Sequence, residues 1–90
     1  LTTVGLNENH FQNTVDFYPN PTKGTLSIET GAIHKSLQIK IRNIHGQLVQ
    51  EEQFVNQRNL QLQLNGKPGI YFIELVNEHG EWANVKVVKR

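Results

Sequence analysis

The sequence predicts an all-β domain, a small antiparallel β-sandwich of about seven strands in an immunoglobulin-like or Greek-key style. Three observations carry that expectation. Apolar residues recur at every second position in several short runs, the period that sends one set of side chains to each face of a strand. Turn residues interrupt these runs about every eight to twelve positions. No stretch combines an N-cap with an apolar stripe at helical spacing, so little or no helix is expected; a single turn within residues 33–38 is the one exception allowed. Ninety residues without a cysteine make one domain with neither disulfides nor thiolate metal ligands, so stability must come from packing and a complete hydrogen-bond ladder.

Residues 1–16 are polar and Asn-rich, with Val4, Leu6 and Phe11 isolated in neither strand nor helix register, and read as a linker. Val15, Asp16, Phe17 and Tyr18 lead into Pro19-Asn20-Pro21-Thr22-Lys23-Gly24. Two prolines spaced by one residue impose an extended, donor-poor backbone, and Gly24 can supply a dihedral that residues with a Cβ disfavour. This segment is a corner. Leu26 and Ile28 alternate with Thr25, Ser27 and Glu29 in a short strand ended by Gly31.

Leu37, Ile39 and Ile41 alternate with Gln38, Lys40 and Arg42, the cleanest amphipathic strand in the chain. Asn43-Ile44-His45-Gly46 supplies a turn, and Leu48, Val49 and Phe54, separated by a polar run, suggest a strand at an edge or bulged. Residues 60–76, LQLQLNGKPGIYFIELV, then place two apolar runs on either side of Gly66-Lys67-Pro68-Gly69. They read as the central hairpin, with Pro68 and the flanking glycines forming the turn. Asn77-Glu78-His79-Gly80 closes another turn before a final strand carrying Trp82, Val85, Val87 and Val88.

Nine basic and eight acidic residues leave a formal charge of +1. A nucleic-acid-binding domain shows a larger, clustered excess, so no nucleic-acid partner is expected. The longest apolar run is far short of the roughly 20 residues needed to span a membrane as a helix. No charged region followed by an apolar one opens the stretch, so no signal peptide is expected in it.

Catalytic constellations are equally absent from the sequence. His10, His34, His45 and His79 show no close metal-ligand spacing. Glu51 and Glu52 are adjacent in a strand and face opposite ways, and Ser27 and Ser36 lack a nucleophile-elbow context. No glycine-rich loop precedes a helix to cradle phosphate, and no cofactor is expected. Tyr71 and Trp82 could form a sugar-stacking platform, but Tyr71 is expected in the core with its hydroxyl at the rim.

Four motifs occur together: YPNPTKG at 18–24, IRNIHGQLV at 41–49, GKPGIYFIEL at 66–75 and VKVVKR at 85–90. In this order and spacing, closing at the end of the chain, they resemble the C-terminal sorting domain of the type IX secretion system, in its type A form, used by Bacteroidetes to export large multidomain proteins. The resemblance covers residues 17–90. It departs where Asn43 stands in place of a common acidic residue; Asn forms similar bonds to nearby backbone.

The resemblance implies a secretion address and no enzyme. Its partners would be an outer-membrane translocon, shuttle and sortase proteins, and a covalently linked upstream cargo. The domain would pass through the periplasm, and the cargo would reach the cell surface or the medium after a sortase cuts within residues 1–16. Recognition and sorting residues under this reading are Pro19, Asn20, Pro21 and Gly24 in the corner, the turn glycines Gly46 and Gly69, Tyr71, and the closing Lys86, Val87, Val88, Lys89 and Arg90. Each also has a structural role: the prolines and Gly24 set how the first strand enters, and the lysines discourage pairing at an open edge. The competing function is an immunoglobulin-like or carbohydrate-binding stalk module.

Overall fold

The computed structural model describes residues 7–11 and 15–90. Their strands are β1 (Asn7–Asn9), β2 (Asp16–Tyr18), β3 (Thr25–His34), β4 (Leu37–Arg42), β5 (Leu48–Phe54), β6 (Gln57–Gln63), β7 (Gly69–Asn77) and β8 (Trp82–Lys89). They build a five-stranded sheet in the order β1-β8-β7-β4-β5 and a three-stranded sheet in the order β2-β3-β6. All strand pairs are antiparallel. No helix occurs among the described residues. β7 returns from the opposite sheet to lie beside β4, a Greek-key connection.

Period-two alternation decides which side chains meet between the sheets. From β4, β7 and β8 come Leu37, Ile39, Ile41, Tyr71, Ile73, Leu75, Ala83, Val85 and Val87; opposite them lie Phe17, Leu26, Ile28, Leu60 and Leu62, with Leu64 just beyond β6. Fully burying an aliphatic side chain of this size contributes about 1.5–3 kcal/mol. The core therefore supplies the main stabilising term for a chain without disulfides.

The two runs expected to form the central hairpin do not pair. β6 bonds only to β3, whereas β7 lies between β4 and β8. Residues 64–68 carry the chain from one sheet to the other. Both runs alternate because both line the same core from opposite sides, and alternation specifies the inward face without specifying the neighbour.

Three further elements refine the expected pattern. β3 does not end at Gly31; it runs on to His34 through a register shift, with Gly31 at φ 84° absorbing the irregularity. β5 is both an edge strand and bulged, because Ile41 opposes Gln50 while Arg42 opposes Leu48. In the stretch expected to be an unstructured linker, β1 pairs with β8, and Phe11 and Val15 join the core. Asn-Glu-Asn carries no strand alternation, so this short edge is held by its backbone ladder and leaves no sequence signal. Val4, Leu6 and residues 12–14 lie outside the described residues.

The two hairpins of the five-stranded sheet, β4–β5 and β7–β8, close with the same local chemistry. In Asn43-Ile44-His45-Gly46-Gln47 the Asn43 Oδ1 accepts from the amides of His45 and Gln47 at 2.9 and 3.1 Å. In Asn77-Glu78-His79-Gly80-Glu81 the Asn77 Oδ1 accepts from His79 and Glu81 at 2.9 and 3.0 Å. Gly46 at φ 78° and Gly80 at φ 77° occupy the matching left-handed position.

Candidate recognition site

The proline corner starts where β2 ends. Tyr18-Pro19 and Asn20-Pro21 are both cis peptides, and between them the Asn20 side chain is directed at the free edge of β8. Its Nδ2 donates to the Lys86 carbonyl at 2.8 Å, and its Oδ1 accepts from the Val88 amide at 3.1 Å. A carboxamide thereby provides the donor and acceptor that a neighbouring strand would provide. Two residues on, the Thr22 amide donates to the Val88 carbonyl at 2.9 Å, and the Arg90 amide donates to the Thr22 carbonyl at 2.8 Å. These bonds make an isolated parallel bridge between Thr22 and Lys89.

The edge of β8 is thus covered by two different partners, β1 along its first half and the corner along its second. An uncovered strand edge invites pairing with other chains. Here the coverage also fixes residues 86–90 against the domain.

Inside the corner, Thr22 is 2% exposed. Its hydroxyl donates to the Thr25 carbonyl at 2.5 Å and accepts from the Gly24 amide at 3.0 Å. The Gly24 carbonyl accepts from the Leu64 amide at 2.7 Å, which extends the β3–β6 ladder by one step. Gly24 has φ 148°, which favours glycine; a Cβ there would lie 2.8 Å from Gln63 Nε2, the end of a flexible side chain that can move aside. A groove of about 420 Å³ lies against the corner, lined by Pro19, Pro21, Thr22, Lys23, Thr25, Gln63 and Arg90.

The β7 entry adjoins this place. Gly69 pairs with Lys89, and the Lys89 ammonium donates to the Gly66 carbonyl at 2.6 Å. Tyr71 pairs with Val87, is 8% exposed, and donates its hydroxyl to the Lys67 carbonyl at 2.6 Å. That bond ties the crossover 64–68 to the core, and the ring sits where the alternation places it.

Most of the expected recognition residues are therefore neighbours: Pro19, Asn20, Pro21 and Gly24 in the corner, Lys86, Val88, Lys89 and Arg90 along it, and Gly69 beside Lys89. Val87 is fully buried and contributes packing. Gly46 stands apart in the β4–β5 turn, with nothing beyond its chain neighbours within 4 Å of where a Cβ would be. Thr22 and Gln63 were not expected; a Thr two residues before a Gly in a proline turn is the signal that could have pointed to Thr22.

Charge at the far end of the sandwich is organised by two carboxylates. The Arg58 guanidinium bonds Glu29 at 2.8 Å and, with the Gly31 amide, holds its carboxyl below the ordinary glutamate range. Glu78 is also held low, first by its own backbone amide, then by the Lys35 amide and the nearby His34 and His79, against a partial opposing effect of burial. No group of three or more potential metal ligands occurs among the described residues.

A family model described as a secretion system C-terminal sorting domain matches residues 16–90. The chain belongs to that family. As a type IX sorting domain it acts as a C-terminal sorting signal, and it implies an upstream cargo, a partner secretion system, and export to the cell surface or beyond. No curated protein matches the chain significantly. Among solved structures, the sorting domain is similar to a DUF3244 family protein with an immunoglobulin-like β-sandwich fold from Bacteroides vulgatus ATCC 8482, with a TM-score of 0.79 at 12% identity, over 94% of this chain and 95% of that one. At that identity the likeness establishes the fold, an immunoglobulin-like sandwich. No helix among the described residues is long and apolar enough to cross a membrane.

Proposed function

We propose that the proline corner and residues 86–90 form one composite address, read by the outer-membrane translocon of type IX secretion and its shuttle proteins. The observation that carries this reading is the pair of bonds from Asn20 to Lys86 and Val88. They join two segments, each resembling the family's motifs, into one surface with the basic side chains of Lys23 and Arg90 at its groove. The domain transits the periplasm folded and serves recognition, without catalysis of its own.

A sortase then removes the domain by cutting within residues 1–16, and the cargo is attached to the cell surface or released. β1, Phe11 and Val15 are engaged with the sandwich. A protease needs an extended segment free of such pairing, so a cut within Asn7–Asn9 would require β1 to leave β8 first. Fusing residues 1–90 to a reporter with a Sec signal in a Bacteroidetes host tests both parts. Reporter on the surface or in the medium, ending within residues 1–16 by mass spectrometry, is the expected result. Full-length fusion held in the periplasm overturns the reading.

A further inference from the structure

The outer face of the five-stranded sheet carries a surface that shares only Lys86 and Val88 with the proposed address. Even-numbered residues of β4, β7 and β8 point away from the core there. Register sets Arg42, Phe72 and Lys86 side by side across three strands, with Leu48 of β5 next in the same row. The adjoining row sets Ile70 beside Val88. Directly opposed residues on one sheet face have Cβ atoms about 4.5–5.5 Å apart, so these side chains form one patch. Phe72 is 44% exposed, Leu48 46% and Ile70 39%. A concavity of about 490 Å³ opens over it, lined by Arg42, Phe72, Glu74, Asn84 and Lys86 among others.

Charge on this face is uneven. One row away, Lys40 stands between Glu74 and Glu51, two carboxylates to one cation. The Phe72 row holds two cations and no carboxylate, and neither Arg42 nor Lys86 forms an ion pair among the described residues. Exposed apolar side chains scattered singly are ordinary; an exposed ring between two unpaired cations in a concavity is a docking feature.

We propose that this face docks a partner protein through an acidic segment bearing an apolar side chain. The apolar group packs on Phe72 and Ile70, while flanking carboxylates meet Arg42 and Lys86. A second copy of the chain is a different occupant, which the cross-linking test separates from an acidic partner segment. An anionic lipid surface fits less well, because Glu74 lies in the same concavity and would be repelled, whereas a peptide amide can donate to it.

The test replaces Phe72 with photoreactive benzoylphenylalanine in the reporter fusion, irradiates cells of the Bacteroidetes host, and identifies the cross-linked segment by mass spectrometry. The export reading enters only in the choice of host, and cross-linking is scored whether or not the reporter leaves the cell, so the two can fail separately. The expected product is a protein segment rich in Asp, Glu and apolar residues. Its yield should fall about tenfold in R42E, which leaves residues 86–90 intact, and less in R42Q, at unchanged melting temperature of both purified variants. The proposal is overturned by a cross-link no stronger than from the same probe at Gln61, by a cross-link to lipid, cargo or a second copy, or by a yield that ignores charge reversal in folded variants.

Discussion

The Asn20 side chain donates to the backbone carbonyl of Lys86 at 2.8 Å, although 66 positions separate the two residues. Together with the return bond from the Val88 amide, it makes a side chain stand in for a strand at the sheet edge. The corner and the closing segment are therefore mechanically one unit.

Asn20→Ala should expose that dependence. It leaves the Lys86 carbonyl and Val88 amide without their partner, at a cost of about 1–3 kcal/mol. For a domain of this size each kcal/mol lowers the melting temperature by about 4–8 °C. Amide exchange should accelerate at Val88 and Arg90 more than at Val85, whose strand is covered by β1. Uniform acceleration along β8 would show that the corner does not act locally.

Tyr71 separates packing from bonding. Tyr71→Phe removes only the hydroxyl bond to Lys67 and should cost about 0.5–1.5 kcal/mol. Tyr71→Ala also empties part of the core and should cost about 3–5 kcal/mol by analogy with buried aromatic truncations. Equal losses in a denaturant titration would mean that the ring contributes little.

Much of this was legible in the residues. The inward positions of β4, β6 and β7 follow from alternation, and the turns at Asn43 and Asn77 follow from their Asn and Gly residues. What alternation leaves open is the neighbour of each strand. Leu62 and Ile73 read as partners across a proline turn, yet they line opposite walls of the core. The contact between corner and closing strand was hidden for a related reason. It runs through one Asn side chain and one Thr backbone, and neither leaves a pattern in a sequence.

Acid should loosen the end of the sandwich held by Glu78. Its folded pKa lies below the ordinary value of 4.5. Its contribution is therefore full above that value and is lost as pH falls through the lower folded pKa. Melting temperatures of the native chain and Glu78→Gln should differ at neutral pH and converge in acid below the ordinary carboxylate range. A difference that persists there would assign the effect to packing rather than charge.

The central claim is that residues 86–90, held by the corner, carry the address. The most direct measurement is the fraction of reporter exported by the fusion of residues 1–90, set against the same fusion lacking residues 86–90, in one Bacteroidetes host. The account predicts export of the first and periplasmic retention of the second. Equal export of both would contradict it.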